Sequence, residues 1–327
     1  MGTTSSQKAG SGGGIAVGIV AILIALGLLN AGQSSPPRTT TTTSTTTAKP
    51  ATTTTTTAAP PTTTPAGDDT DAFVAAVAAG DVTVDRPLRI NKIAKITTSN
   101  RTITFVGDGR LVRTTSTNPT GDNVTFPVLR LVGVTNVSIV NPQIVGPGGV
   151  CNVPRPNNAG PPFRAYYDSR YEESAGIALD GVTDVRIQGG LIRDVRGDGV
   201  RIFYDNGVNP SRPSSRVTIT DLTTTCVGRA AVTNISSDAV TVTRGVYTLS
   251  GFWTFNVEPF NTLAVTNYLI DRPTIGYSTS AWLFAGGGRS PSCKITMRVE
   301  KPTFTELVQP ESINRQCDPP ITVTVNR

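Results

Sequence analysis

The chain has 327 residues, a formal net charge of +6, four cysteines and no histidine. The lack of histidine excludes catalytic triads built on imidazole, histidine metal ligands and imidazole proton shuttles, so any acid or base must be Asp, Glu, Tyr, Lys or Arg. Glycine (32) and proline (24) are frequent and aromatic residues make up only 6%, which suits short strands joined by turns better than packed helices.

Residues 1–13 read as a short tail. Its "MGTTSS" fits the myristoylation pattern at Gly2 and Ser6, a match short enough to arise by chance. Residues 14–31 contain "GIAVGIVAILIALGLL", preceded by Lys8 and followed by no charge until Arg38. This run is barely long enough to cross a bilayer and long for a signal-peptide core, so it is either a retained signal anchor or a peptide cleaved after Ala31. Lys8 on the short side predicts that end inside and the bulk of the chain outside, giving an extracytoplasmic protein that is membrane-anchored by a single span or secreted. Residues 32–66 are dominated by Thr, Pro and Ala. They offer too little apolar surface for a core and predict a disordered, solvated stalk of the kind that carries O-linked glycans. Asn100, Asn123, Asn136 and Asn234 begin N-glycosylation sequons, which matter only in a host that uses them.

Residues 67–327 are expected to form one elongated domain. It opens with "GDDTDAFVAAVAAG", where Asp69 or Thr70 can cap a helix, Phe73, Val74 and Val77 share a face, and Gly80 ends it. The sequence then repeats itself. "LRLVGVTNVSIVNPQI" from Leu129 matches "IALDGVTDVRIQGGLI" from Ile177, and weaker copies follow, with Val217 and Val240 separated by 23 residues. A unit of this size, made of short strands, cannot bury its apolar face alone, but stacked coils about 4.8 Å apart can. The expected fold is therefore all-β: a single-stranded right-handed parallel β-helix of about eight or nine coils with an N-terminal capping helix. On these repeats the chain resembles the pectate-lyase-like right-handed β-helix superfamily, in which "GDDTDAF" looks like the start of the helix that plugs the first coil. That scaffold hosts lyases, hydrolases, epimerases and noncatalytic adhesins, so the resemblance implies the fold and leaves the activity open.

Four cysteines allow three pairings. Position among the coils favours Cys293 with Cys317, at the C-terminal end, and Cys151 with Cys226, tying a long loop to the body. Both pairs imply an oxidising compartment.

Strand parity points Ile177, Leu179, Val200, Ile202, Val232, Phe255 and Val257 inward, and sends Ala178, Asp180, Arg201, Phe203, Thr233, Asn256 and Glu258 to the outer face. Three insertions border this sheet. The largest, residues 146–175, carries Tyr166, Tyr167, Asp168, Arg170, Tyr171, Glu172 and Glu173. The others follow Phe203 and Phe284. Loops on both edges predict a groove with Glu258 on its floor, one coil from Arg229. "GRAAV" followed by "FNVEP" is similar to a pattern recurring in bacterial β-helix proteins of this superfamily, with Ala230, Ala231 and Asn256 as departures. "RGDGVRIF" resembles the "GDD" strand of polygalacturonases but has one Asp there, Asp198, and the chain has no "GHG".

The candidate catalytic residues are Glu258, Arg229, Asp198 and Asp180. Candidate substrate contacts are Arg201, Asn256, Tyr166, Tyr167, Arg170, Tyr171, Glu173 and Trp253, because aromatic faces stack on sugars while charged groups fix hydroxyls and carboxylates. Two readings stay open: a lyase, epimerase or hydrolase acting on an acidic polysaccharide, and a noncatalytic glycan-binding or structural module at a cell or virion surface. Hydrolysis would pair Asp198 or Asp180 with Glu258 across coils. No cofactor is required. Ca²⁺ would have to use scattered groups such as Asp180 and Asp198, because its loop spacing is absent. Nothing suggests a specific nucleic-acid site, and the oligomeric state is not defined. A brace between coils is the competing role for Arg229 and Glu258.

Overall fold

The computed structural model describes residues 67–113, 126–148, 151, 173–205, 207, 211–259, 264–277, 280–284, 294–305, 309–313 and 322–326. The apolar run, the stalk, Asn123, Tyr166, Tyr167, Arg170, Tyr171, Cys293 and Cys317 lie outside these residues. Among the described residues no helix is long and apolar enough to cross a membrane.

After one helix, Thr70–Ala79, the described chain is built from short strands that recur in threes and enter three separate sheets. Every strand pairs in parallel with its counterpart one turn of the chain earlier or later, giving sheets of nine, eight and eight strands. This is a parallel β-helix. The sequence copies are stacked neighbours: Leu129 lies opposite Ile177, Val137 opposite Val185, and Val217 opposite Val240.

Inward parity follows the expectation. Ile177, Leu179, Val200, Ile202, Val232, Phe255 and Val257 all belong to one contiguous core with Ile and Val from the other sheets. Tyr247 and Phe255 meet edge to face in that core, 5.1 Å between ring centroids, a favoured aromatic arrangement.

The turning points recur as columns of left-handed backbone. Asn100, Asn136, Asp184, Arg216, Ala239 and Asn267 occupy one column within the first sheet, and Asn141, Gly189, Asp221, Arg244, Arg272 and Lys301 occupy the corner leading to the second. Asn and Asp tolerate this conformation best among residues with a Cβ, which explains the "TNV" and "TDV" corners. For Arg216 and Arg244 the coil spacing brings the arginine to an Asp: Arg216 donates twice to Asp184 (2.6 and 2.7 Å) and Arg244 twice to Asp221 (both 2.8 Å).

The helix is fastened differently from the expected cap. Asp69 makes no side-chain cap bond; its carboxylate instead accepts from the Arg89 amide at 2.8 Å. Asp68 accepts from the Thr70 amide at 3.0 Å and from Asn91 at 3.1 Å. Phe73 and Val77 enter the core, and Arg101 donates to the Val77 and Ala78 carbonyls at the helix end.

Cys151 and Cys226 form a disulfide, with Cα atoms 5.4 Å apart. It links the start of the long insertion to Thr223–Val227, two coils beyond the strand Gln143–Val145.

Close coil contact at the corner before Arg229 depends on Gly228, where a Cβ would stand 1.9 Å from the Arg196 carbonyl oxygen. Gly80 is extended (φ −179°) and has open space around its Cα. Gly228→Ala should therefore destabilise the domain by about 1–3 kcal/mol while Gly80→Ala changes it by less than about 0.5 kcal/mol, read by denaturant unfolding. Equal effects would contradict the close packing of this corner.

Candidate functional site

The third sheet stacks Ala94–Ile96, Leu129–Val132, Ala175–Asp180, Asp198–Phe203, Ala230–Asn234, Trp253–Val257, Ser280–Phe284 and Gln309–Ile313. Its register sets Lys95, Arg130, Ala178, Arg201, Thr233 and Asn256 in one row across six coils. Because Ile177, Val200, Val232 and Phe255 point into the core, this row lies on the opposite face.

That face was expected to be an open groove floor, and along most of the row it is not. Ala178, Thr233 and Asn256 have no exposed surface, Asp180 retains 1% and Arg201 5%. Arginines and carboxylates at this face form two ionic clusters.

In the first cluster, Arg229 stands at a corner held by the backbone, its amide donating to the Gly197 carbonyl and its own carbonyl accepting from Phe252 and Trp253. Its guanidinium donates from Nη1 to Asp198 Oδ2 at 3.2 Å and from Nη2 to Glu258 Oε2. Asn256 Nδ2 also donates to Glu258 Oε2, at 2.7 Å. The expected contact between Arg229 and Glu258 is thus direct. Asp198 has no exposed surface, whereas the Glu258 side chain keeps 17% of its own. One guanidinium therefore braces three successive coils and bridges two of the candidate acids.

The second cluster contains Arg130, which the repeat alignment had placed opposite Ala178 but which sequence reasoning did not select. Its Nε donates to Asp180 Oδ2 at 2.6 Å. Arg201 donates to Glu173 and lies 5.3 Å from the centroid of Phe203. Phe203 stacks on Tyr204 at 4.3 Å, and Asp205 and Arg212 pair across the base of the insertion that follows. Another residue missed from sequence, Arg113, is buried and donates to the carbonyls of Ile90, Lys92 and Phe126 near the first coils. Burial pulls its guanidinium down to about 10. A basic residue just after a strand was its available signal.

Asp180 and Asp198 do not come together. Asp180 is opposite Phe203 and Asp198 opposite Ala175, so they occupy opposite ends of adjacent strands. They cannot share a Ca²⁺ ion, and Asp180 belongs with Arg130 rather than with Glu258. No group of three or more acidic or cysteine side chains among the described residues is placed to hold a metal ion. Trp253 is half-buried, its ring 4.9 Å from that of Phe252, at the entry to its strand.

Burial raises the Asp198 carboxyl to about 6 despite Arg229 beside it, and burial likewise raises Asp180 against the opposing charge of Arg130. An acid raised on folding binds its proton more tightly in the native state, so its contribution is favourable at low pH and lost as pH rises. Between pH 4 and about 6, the stability of the native protein minus that of Asp198→Asn should fall, as measured by chemical unfolding at each pH. Parallel curves would show that Asp198 does not titrate in this window.

No family model and no curated protein matches the chain. Among solved structures, the pre-mature gene product 12 of bacteriophage phi29 aligns with a TM-score of 0.53 and 15% identity, covering 76% of this chain and 32% of that one. The chain thus spans about a third of the phage protein's length. PfbA, a surface adhesin of Streptococcus pneumoniae, aligns at 0.40 with 9% identity, over 77% of this chain and 78% of that one. The catalytic unit of a GH87 α-1,3-glucanase from Streptomyces thermodiastaticus aligns at 0.35 with 13% identity, over 80% and 65%. At these identities the likeness concerns fold, and only the phage protein's exceeds a TM-score of 0.5. Together with the three all-parallel sheets, it identifies the fold of the chain as a right-handed parallel β-helix.

Proposed function

We propose that the protein is a noncatalytic glycan-binding β-helix, carried outside the cytoplasm on its Thr/Pro-rich stalk and directed at an acidic polysaccharide. This reading takes the domain as eight to nine coils plugged by the helix Thr70–Ala79, with residues 14–31 as signal anchor or cleaved signal peptide. The Cys151–Cys226 disulfide supports an oxidising location.

The observation that carries it is the commitment of the candidate acids to arginine. Asp198 is buried and bonded to Arg229, Asp180 is buried and bonded to Arg130, and Glu258 shares its oxygen with Arg229 and Asn256. A general acid or base must come within hydrogen-bond reach of the substrate atom it serves. Acids already paired with arginine, two of them also buried, are better suited to stiffening a binding face than to proton transfer. The net charge of +6 favours anionic glycans.

One observation favours hydrolysis as a second reading. Asp198, raised to about 6, and the solvent-reaching Glu258 have unequal environments on a shared guanidinium, and unequal carboxylates are how glycosidases divide acid from base.

A panel of uronate polymers and neutral glucans incubated with the full chain separates the two. Binding to uronate polymers, with no gain in unsaturated or reducing ends over hours, is the expected result. Release of either end, abolished by Glu258→Gln, would establish the enzyme reading instead.

A further inference from the structure

The ion pair between Arg201 and Glu173 is lopsided. The Arg201 side chain is 6% exposed, while the Glu173 side chain on it is 68% exposed. Buried charges need partners, and here the partner projects into water from the end of an insertion. Its backbone is fixed: the next residue, Ser174, accepts from the Asp198 amide through its carbonyl at 2.7 Å. The Glu173 side chain can therefore leave Arg201 without any movement of the strand.

The surroundings are under-satisfied. Arg201 Nε and Asp180 Oδ1 are both buried without a hydrogen-bond partner. Arg130 and Arg201 flank Ala178 in the row, two coil spacings or roughly 10 Å apart. Ala178 between them contributes only a methyl and is itself covered, with no exposed surface. Arg130 and Arg201 are balanced by Asp180 and Glu173, so departure of Glu173 leaves one positive charge uncompensated.

We propose that Glu173 occupies the position of a ligand's anionic group, and that Arg201, with Arg130 two coils away, binds a uronate carboxylate that displaces it. This rests on the acidic-glycan reading and assigns its anion site to the second cluster rather than to Arg229 and Glu258. Phe203, against the guanidinium, orients it. An ion pair with one exposed member is weak enough to exchange, and an incoming carboxylate restores the partner that the buried Arg201 charge requires.

The test is titration of the full chain with oligogalacturonate and separately with sulfate, for the native protein, Glu173→Gln and the double variant Glu173→Gln/Arg201→Lys. Glu173→Gln should tighten binding of both probes roughly fivefold, the occupancy an ion pair of this kind holds against competition. Arg201→Lys should remove the gain while retaining the charge, since lysine lacks the planar fork. Unchanged or weaker binding by Glu173→Gln overturns the proposal; that variant alters an exposed side chain, so this arm stands even if the double variant fails to fold. Tighter sulfate binding without oligogalacturonate binding by any variant would uphold the anion site and defeat the glycan reading. Oligogalacturonate binding indifferent to both residues would do the reverse.

Discussion

Parallel stacking at one inter-strand spacing is the constraint from which the other features of this domain follow. Each coil sits about 4.8 Å from the next with its strands in register, so a side chain at a given position meets the side chain at the same position one coil away. Apolar residues at inward positions thereby build a continuous core, and left-handed residues line up where the chain turns. The same rule brings like charges together where Arg244, Arg272 and Lys301 stack, and carboxylates pair with such arginines: Asp184 with Arg216, Asp221 with Arg244 and Asp271 with Arg272. Hydrogen bonds from these arginines hold the Asp184 and Asp221 carboxyls below the usual range.

On the third sheet that constraint acts on long side chains facing away from the core. Arg229 reaches back to Asp198 and forward to Glu258, while Arg130 reaches Asp180 in the next coil. Desolvating these groups is costly, and only their mutual pairing offsets it. Removing one member leaves an opposite charge buried, whereas adding a ligand requires displacing a member that water can receive. Glu173 best meets that condition among these pairs, since its side chain is the most exposed. Binding and bracing are thus assigned to different arginines on one face.

Much of this architecture is legible in the amino-acid sequence alone. The matching stretches from Leu129 and Ile177 give the register directly, because stacked coils must repeat their inward residues. The pairing of Cys151 with Cys226 follows from coil position, and the proximity of Arg229 to Glu258 from their places on adjacent coils, although the register sets them at opposite ends of neighbouring strands and only long side chains close the distance. Burial of the outer face is not legible, because parity tells which face a side chain leaves from but not what packs over it. Arg130 shows the gap: its place opposite Ala178 is implicit in the repeat alignment, yet its bond to Asp180 depends on a side chain running along the strand. Asp198 reads as an accessible acid from its place in "RGDG", but the two-residue corner before it tucks its carboxylate against the Ala230 amide, at 3.2 Å. The expected helix cap fails for a similar reason, Asp69 being drawn to a strand amide of the first coil instead of its own helix.

The central claim is that Arg229 braces successive coils through Glu258 instead of serving a reacting substrate. A double-mutant cycle on unfolding free energy, with Arg229→Met, Glu258→Gln and both together, measures it most directly. A brace predicts marked non-additivity, with a coupling on the order of 1 kcal/mol or more, because either single change already abolishes the pair. Additive effects would contradict the account and return Arg229 and Glu258 to the residues that act on a ligand.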